Sequence, residues 1–510
     1  MNESFFSWVL VALYAVAIVA IAGRSARQAK SLESFSVGAR NLSPVMVGLS
    51  LAASMTSAAT FVINPGLIYL YGWSGVLGYA VAAPLGIFLG LAVFSKAFRR
   101  VGDRFQVLTV PQWIGDRFGD QRLTVFFAVL SLLQVSFLVL ITVGVTLTLQ
   151  KALGIPAWAA LLGVVGFTFS YILLGGAGTH VRTNTMQAII MIVVAGVFLA
   201  SGLPYFQGGV GAFFERLAAV GPHYASVTNP DSLLFRDLFE VLVANFVVGV
   251  AIILQPHIIS KSLYLKSEAQ VNRYLATSVL VATLFFAVLA TGLFARLAMS
   301  GEVLPPDVVI PTYMVEHFSP FVRAVVMLGV LSAGFSTLEG ILLALSSIFA
   351  NDFLKHVLPA GRDAEAWKTR SLKYARGFLI VLAPVTVWLS LRQIRSPSLS
   401  VAIFAQNGVY GLFAATFVPI LAGIFLRRVH KGWVFAASLT ALAVHFGMYY
   451  LELTRYHNNP AVPATFAILA SLAVLGVGLL AGGRGVEPAV AAARAPQRVG
   501  AGVGAGAPGA

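Results

Sequence analysis

Two stretches of this sequence concentrate small and hydroxylic residues inside otherwise apolar surroundings. One runs Ser50-Leu51-Ala52-Ala53-Ser54-Met55-Thr56-Ser57-Ala58-Ala59-Thr60. The other, Leu331-Ser332-Ala333-Gly334-Phe335-Ser336-Thr337-Leu338-Glu339-Gly340, puts Ser332, Ser336, Glu339 and Ser346 at spacings of four, three and seven, on one face of a helix. Thr337 flanks that stripe. Hydroxyls, backbone carbonyls released by an interrupted helix and a carboxylate are hard oxygen ligands that suit Na⁺ or a proton and suit soft transition metals poorly. The competing assignment has the hydroxyls bonded back to their own helix and Glu339 paired structurally with a neighbour. Among 19 Asp and Glu residues, Glu339 alone is expected in the middle of an apolar run, where an ionisable group is a functional hypothesis by default. No Lys or Arg is expected at that depth.

The elements that must position these residues follow from composition. The chain has 510 residues, 58% hydrophobic and only 10% charged, with a mean hydropathy of +0.87. A soluble domain carries about a quarter charged residues, so the chain reads as an all-α polytopic membrane protein. A spanning helix needs about 20 apolar residues, and apolar runs predict roughly thirteen spans. They lie at Phe6–Gly23, Pro44–Tyr71, Gly75–Phe98, Leu123–Gln150, Ala157–Leu174, Thr183–Leu203, Leu238–Gln255, Ala276–Met299, Phe321–Ala350, Gly377–Leu391, Val401–Phe425, Trp433–Leu451 and Ala464–Leu480. Met1 to Ile21 lacks a basic leader and a cleavage motif, so it counts as a span. No stretch is left for a separate catalytic domain, and the absence of Cys excludes disulfides, thiolate metal sites and thiol nucleophiles.

The formal charge of +15 is a topological signal. Alternating the connections between the two sides places about three quarters of the Lys and Arg on one side, which the positive-inside rule makes cytoplasmic. That puts the N-terminus outside and the C-terminus inside, in the plasma membrane, and leaves no role for nucleic acid. The last stretch, 482–510, rich in Ala, Gly, Pro and Val, is expected to be a disordered tail.

The second and seventh spans carry matching interruptions. In the second, the small-residue stretch is followed by Asn64-Pro65-Gly66. The seventh has Asn245, Gly249 and then Gln255-Pro256-His257. Pro removes a backbone donor and Gly admits unwound backbone, and in a bilayer the freed groups need protein, water, ion or substrate as partners. The two spans are five helices apart and therefore run in opposite directions, as an inverted repeat requires, and paired interruptions of this kind mark a transporter's midplane site.

In its motifs the chain resembles the sodium:solute symporter family. The resemblance rests on Ser57-Ala58-Ala59-Thr60-Phe61 with Pro65-Gly66-Leu67-Ile68-Tyr69, on Gly175-Gly176 followed by Asn184-Thr185-Met186-Gln187, on Gln255-Pro256-His257-Ile258, and on Phe335-Ser336-Thr337-Leu338 with Ser346-Ser347 and Asp352. The Asn184 stretch and Pro306-Asp307-Val308-Val309-Ile310-Pro311-Thr312 are most similar to the pantothenate and short monocarboxylate branch. The resemblance implies a leucine-transporter-type five-plus-five inverted repeat. On this division 1–42 holds the first span and a cytoplasmic loop, 43–203 repeat one, 204–234 an extracytoplasmic loop, 235–425 repeat two, and 426–481 the last two spans. It implies alternating access driven by a sodium gradient; the chain is expected to act as a monomer and without an organic cofactor. It also implies a sodium site made by carbonyls of Ala53, Thr56 and Ala333 and hydroxyls of Ser336 and Thr337. The family often has Asp where this chain has Asn184 and a hydroxyl where it has Glu339. That exchange suggests Glu339 replaces the missing carboxylate at a second cation or proton site.

Polar residues on spans facing the interruptions are the candidate solute contacts: Asn64, Tyr69, Gln134, Asn245, Gln255, Gln406 and Asn407. Each could equally be an interhelical hydrogen bond. With no mid-span cation expected, a carboxylate substrate would rely on helix ends, amides or bound sodium, and the same set suits a neutral sugar, polyol or amino acid. A channel would show a pore-lining ring, and an enzyme would show paired carboxylates, an HExxH motif or a Ser/His pair. Neither pattern is visible, and His445 reads as a packed residue.

Overall fold

A computed structural model describes residues 5–26, 29–38, 40–358, 363–396 and 400–481; the expected tail at 482–510 lies outside them. The described residues are helical apart from turns and one isolated bridge between Leu42 and Leu265. Among the described residues, ten helices are long and apolar enough to cross a membrane, or up to 12 when two bent pairs are each counted as one span.

Those two bent pairs are the second and seventh spans. Pro44–Met55 and Ala59–Tyr71 meet at 50°, and Phe239–Ile252 and Pro256–Tyr264 at 58°. In the seventh span the break falls immediately before Pro256, as its missing N–H and fixed φ require. In the second it falls at Thr56–Ala58, ahead of Asn64-Pro65-Gly66. That tripeptide stands inside the second half of the span, where a π-helical turn over Ala59–Ile63 passes into α-helix from Asn64, a widened turn of the kind often found at functional sites. Gly66 is needed because a Cβ there would run into the carbonyl of Pro306. The Pro65-Gly66 and Pro306-Asp307 motifs are therefore two sides of one close backbone approach.

The fifth and sixth expected spans lie within Ala157–Ser201, 45 residues that form two helices joined at a kink. At about 1.5 Å per residue the two total roughly 67 Å, more than twice the ~30 Å hydrocarbon thickness. The chain turns at Gly176, whose φ of 63° and ψ of −163° are not helical and which only glycine adopts readily. The Phe35 backbone packs where a side chain would stand.

The ninth span, Pro320–Val357, is the centre of the molecule: 89% of its most apolar window is buried, against 22% for the first span. It packs most extensively on Ala157–Ser201 and also on the Pro44–Met55 helix. A helix apolar all round is buried on all sides, so each polar residue on it needs a protein partner, on its own helix as Ser332 and Ser346 have or on a neighbour.

Candidate functional site: an oxygen cluster beside an uncharged cavity

Ala53 and Ser54 lie in the last turn of the Pro44–Met55 helix. In a continuous helix their carbonyls would accept from the N–H groups of Ser57 and Ala58, but the helix stops at Met55. The ninth span supplies the partners instead. The Ser336 hydroxyl donates to the Ala53 carbonyl at 2.9 Å and lies 2.9 Å from that of Ala333. The Thr337 hydroxyl is 3.1 Å from the Ser54 carbonyl and 3.4 Å from that of Ala333. Both expected arrangements therefore coexist, since each hydroxyl reaches its own helix and the broken one. Thr56 ends the helix with φ −112° and ψ 78°, which turns its carbonyl off the helical ladder, while its hydroxyl is bonded to the Ala52 carbonyl at 2.7 Å. Ala53, Ala333, Ser336 and Thr337 are fully buried, as is Thr56.

Three residues along the ninth span, Glu339 is also fully buried but sits among donors. The Tyr171 hydroxyl reaches it at 2.5 Å, the Thr183 hydroxyl at 2.5 Å and the Gln187 amide at 3.0 Å. His180 Nδ1 is 3.4 Å away. These partners occupy Tyr171–Gln187 on both sides of the Gly176 turn, so that bend folds a donor nest around one carboxylate. Of these residues only Gln187 belongs to a stretch singled out in the sequence; Tyr171, His180 and Thr183 carry no signal until the bend brings them together. Asn184 faces elsewhere. Its amide donates to the Ser54 hydroxyl at 2.9 Å, the Ser336 carbonyl at 3.1 Å and the Ser50 carbonyl at 3.4 Å. Asn184 and Glu339 thus share an interface without sharing a hydrogen bond.

One sequence expectation is corrected here. Lys261, counted with the cytoplasmic loop charges, is fully buried on the short helical turn after Pro256, and its ammonium is bonded to Ser50 and Ser54. An apolar-run boundary drawn at Gln255 put it outside the span. The bend carries the chain back under the second span and takes the lysine with it.

A cavity opens beside the oxygen cluster. Its lining includes Met55, Ser57 and Thr60 from the broken second span, along with Asn64, Asn245, Gln255 and Gln406, Tyr79 and Tyr410, and a set of apolar side chains. None of the lining residues is charged. The Asn64 and Gln255 side-chain oxygens are buried without a protein hydrogen-bond partner, so they are acceptors ready for a donor. The Asn245 amide is bonded to the Glu240 carbonyl at 2.8 Å and the Gln406 amide to the Tyr79 hydroxyl at 3.2 Å.

Three of the seven candidate solute contacts lie elsewhere. The Tyr69 hydroxyl donates to the carbonyls of Met299 and Glu302, and Arg296 stacks over its ring at 4.9 Å, fastening the loop after the eighth span. Gln134 is bonded to His257 at 3.1 Å. Asn407 is bonded to the Tyr450 hydroxyl and lines a separate crevice with Phe404 and Tyr449. Hydrophobic periodicity tells which residues are polar among apolar ones but not which side of a fully buried helix faces the cavity. His445 is packed, as expected, with Nε2 2.9 Å from the Asn407 carbonyl.

Broken second and seventh spans, a buried ninth span bridging to the first of them, and a cavity at the break form one arrangement, and the model of the sodium:solute symporter family matches residues 35–440. The chain belongs to this family. As a member it is a sodium-coupled symporter of a small solute in a membrane, and Na⁺ is the co-transported ion. It is 27% identical over 477 residues to a sodium/pantothenate symporter of Escherichia coli (strain K12), covering 91% of this chain and 94% of the relative. A sodium/pantothenate symporter of Haemophilus influenzae is 25% identical over 453 residues, covering 86% and 89%. A solved Na⁺-coupled sialic acid symporter in an outward-open state superposes with a TM-score of 0.77 at 14% identity, covering 95% of this chain and 100% of that one. That likeness shows the fold, which is of the leucine-transporter type.

Proposed function

We propose that this symporter imports pantothenate or a related short hydroxylated carboxylate across the plasma membrane, with its N-terminus outside and its C-terminus in the cytoplasm. The observation that carries the reading is that one broken helix serves both ligands. Ala53 and Ser54 give carbonyls to the oxygen cluster, and Met55, Ser57 and Thr60 line the adjacent cavity. In this reading Na⁺ is held by the carbonyls of Ala53, Thr56 and Ala333 and the hydroxyls of Ser336 and Thr337. Bound there, it ties the second span to the ninth and favours the outward-facing state, in which solute enters. Its loss to the cytoplasm frees the second span, and the inner side opens. The names of the two pantothenate relatives support the substrate class. Unpartnered acceptors on Asn64 and Gln255 would take hydroxyl or amide donors of the solute, and the amides of Asn245 and Gln406 would turn toward its carboxylate.

A second reading, a neutral polyol, sugar or zwitterion, is favoured by the absence of any charged side chain from the cavity lining. Uptake into proteoliposomes decides between them. With an inward sodium gradient, labelled pantothenate is expected to accumulate and labelled neutral solutes are not. Accumulation of a neutral solute alone transfers the assignment to the second reading. If no solute in the panel accumulates under a sodium or a proton gradient, both readings of the cavity fail.

A further inference from the structure

Lys261 introduces a positive charge next to the oxygen cluster, and its partners are of an unusual kind for a lysine. An ammonium has three N–H donors and no acceptor. Here it has three partners, all oxygen and all on the second span: the Ser50 carbonyl at 2.8 Å, the Ser50 hydroxyl at 2.7 Å and the Ser54 hydroxyl at 2.7 Å. Among these partners there is no carboxylate. Carbonyl and hydroxyl oxygens without a carboxylate are the same donor set that Ala53, Ala333, Ser336 and Thr337 offer on the other side of Ser54, whose own carbonyl accepts from Thr337.

The compensating anion is Glu339. Thr183 donates to its carboxylate while the adjacent Asn184 donates to the Ser50 and Ser54 oxygens that hold the ammonium, and Glu339 and Lys261 are both fully buried. The Glu339 oxygens are already taken by Tyr171, Thr183, Gln187 and His180, so it supplies field rather than a ligand. Between the two charges Asn184 donates to the same Ser50 carbonyl and Ser54 hydroxyl that hold the ammonium. Its own side-chain oxygen is buried without a protein partner. A buried charge is tolerated when it is hydrogen-bonded and paired, and this one is fully hydrogen-bonded by neutral oxygens and paired through space.

We propose that the Lys261 ammonium is a resident cation occupying a second cation position, built from Ser50, Ser54 and the face of Asn184. The transporter therefore binds a single Na⁺ per chain, at the Ala53/Ser336/Thr337 cluster, with the second charge tethered permanently by the seventh span. Removing the ammonium while keeping Glu339 leaves a buried negative field beside three hard oxygens. The Asn184 amide can then turn its oxygen inward, which completes a site for a second Na⁺. The proposal rests on the Ala53/Ser336/Thr337 cluster holding the transported ion.

The test is radiosodium binding to the purified full chain in detergent, which needs no solute. The wild type is expected to bind one Na⁺ per chain, Lys261→Arg one, and Lys261→Met two. The double variant Lys261→Met/Glu339→Gln, which removes both charges, is expected to return to one. Two sodium ions on the wild type would overturn the proposal, as would a monodisperse Lys261→Met protein that still binds one. Should Lys261→Met fail to fold, the wild-type count decides alone. Thr337→Ala separates the underlying assumption: if it binds sodium as the wild type does, the cluster assignment fails, independently of what Lys261 does.

Discussion

Two polar regions on one helix, three residues apart, solve opposite problems. At Ser336 and Thr337 the ninth span meets a helix that has just ended, and what gathers is acceptors: the carbonyls of Ala53, Ser54 and Ala333 around two hydroxyls. At Glu339 it meets a helix that has just turned, and what gathers is donors: two hydroxyls, an amide and an imidazole around one carboxylate. The first region has oxygen lone pairs to spare and suits a passing cation. The second is saturated and suits a fixed charge. Burial and sequence spacing are the same for both, so function is distinguished by whether the neighbouring backbone ends or bends.

That contrast can be broken by substitution. The largest effect is expected from Glu339→Leu, which orphans the Tyr171 hydroxyl and one Gln187 N–H at about 1–3 kcal/mol for each buried group, while Thr183 keeps the Thr179 and His180 carbonyls and Gln187 keeps Tyr14. Thermal melting in detergent should show a loss of several kcal/mol of stability, enough to prevent recovery of folded protein. Glu339→Gln, which keeps acceptor capacity, should fold. An undiminished melting temperature for Glu339→Leu would show that the nest is not holding the helices.

Thr337→Ala or Ser336→Ala is expected to act on the ion instead. The half-saturating sodium concentration for uptake should rise about tenfold or more, corresponding to roughly 1.4 kcal/mol, with the melting temperature nearly unchanged. A shift in stability without a shift in sodium activation would make these hydroxyls structural.

Smaller effects belong to the cavity. Gln255→Ala and Asn64→Ala should each raise the solute half-saturation constant, by about the 1 kcal/mol of one net hydrogen bond or roughly fivefold, while sodium activation stays within about twofold. The smallest is Asn407→Ala, which should leave solute affinity unchanged because Asn407 faces Tyr450 and a separate crevice. An Asn407→Ala defect equal to that of Gln255→Ala would mean the cavity has been assigned to the wrong side of the eleventh span.

Much of this was legible in one dimension. A 10% charged fraction requires a membrane, and Gln255-Pro256 predicts a break where one occurs. The hydroxyl-rich runs at Ser50–Thr60 and Ser332–Thr337 identify the two helices that meet. All of these are local consequences of residue type: transfer free energy, ring closure in proline, side-chain oxygen. The break in the second span was harder to place, because no proline or glycine sits at Thr56–Ala58 and the tertiary contacts with the ninth span set it.

What only the tertiary structure decided was direction and depth. On helices buried on every side, spacing cannot tell Asn64 and Gln255, which face the cavity, from Gln134 and Asn407, which do not. It cannot show that Gly176 folds Tyr171, His180 and Thr183 around Glu339. Nor can it show that Lys261 is a buried cation, since hydropathy reads a lysine beyond an apolar run as a loop charge. Its true environment depends on a 58° bend and on oxygens supplied by a helix some 200 residues earlier in the chain. The sequence by itself determined the membrane environment, the all-helical architecture and which two spans are broken, because those depend on residue types summed over short windows. The pairing of charges and the shape of the cavity depend on contacts between distant segments, which packing alone fixes.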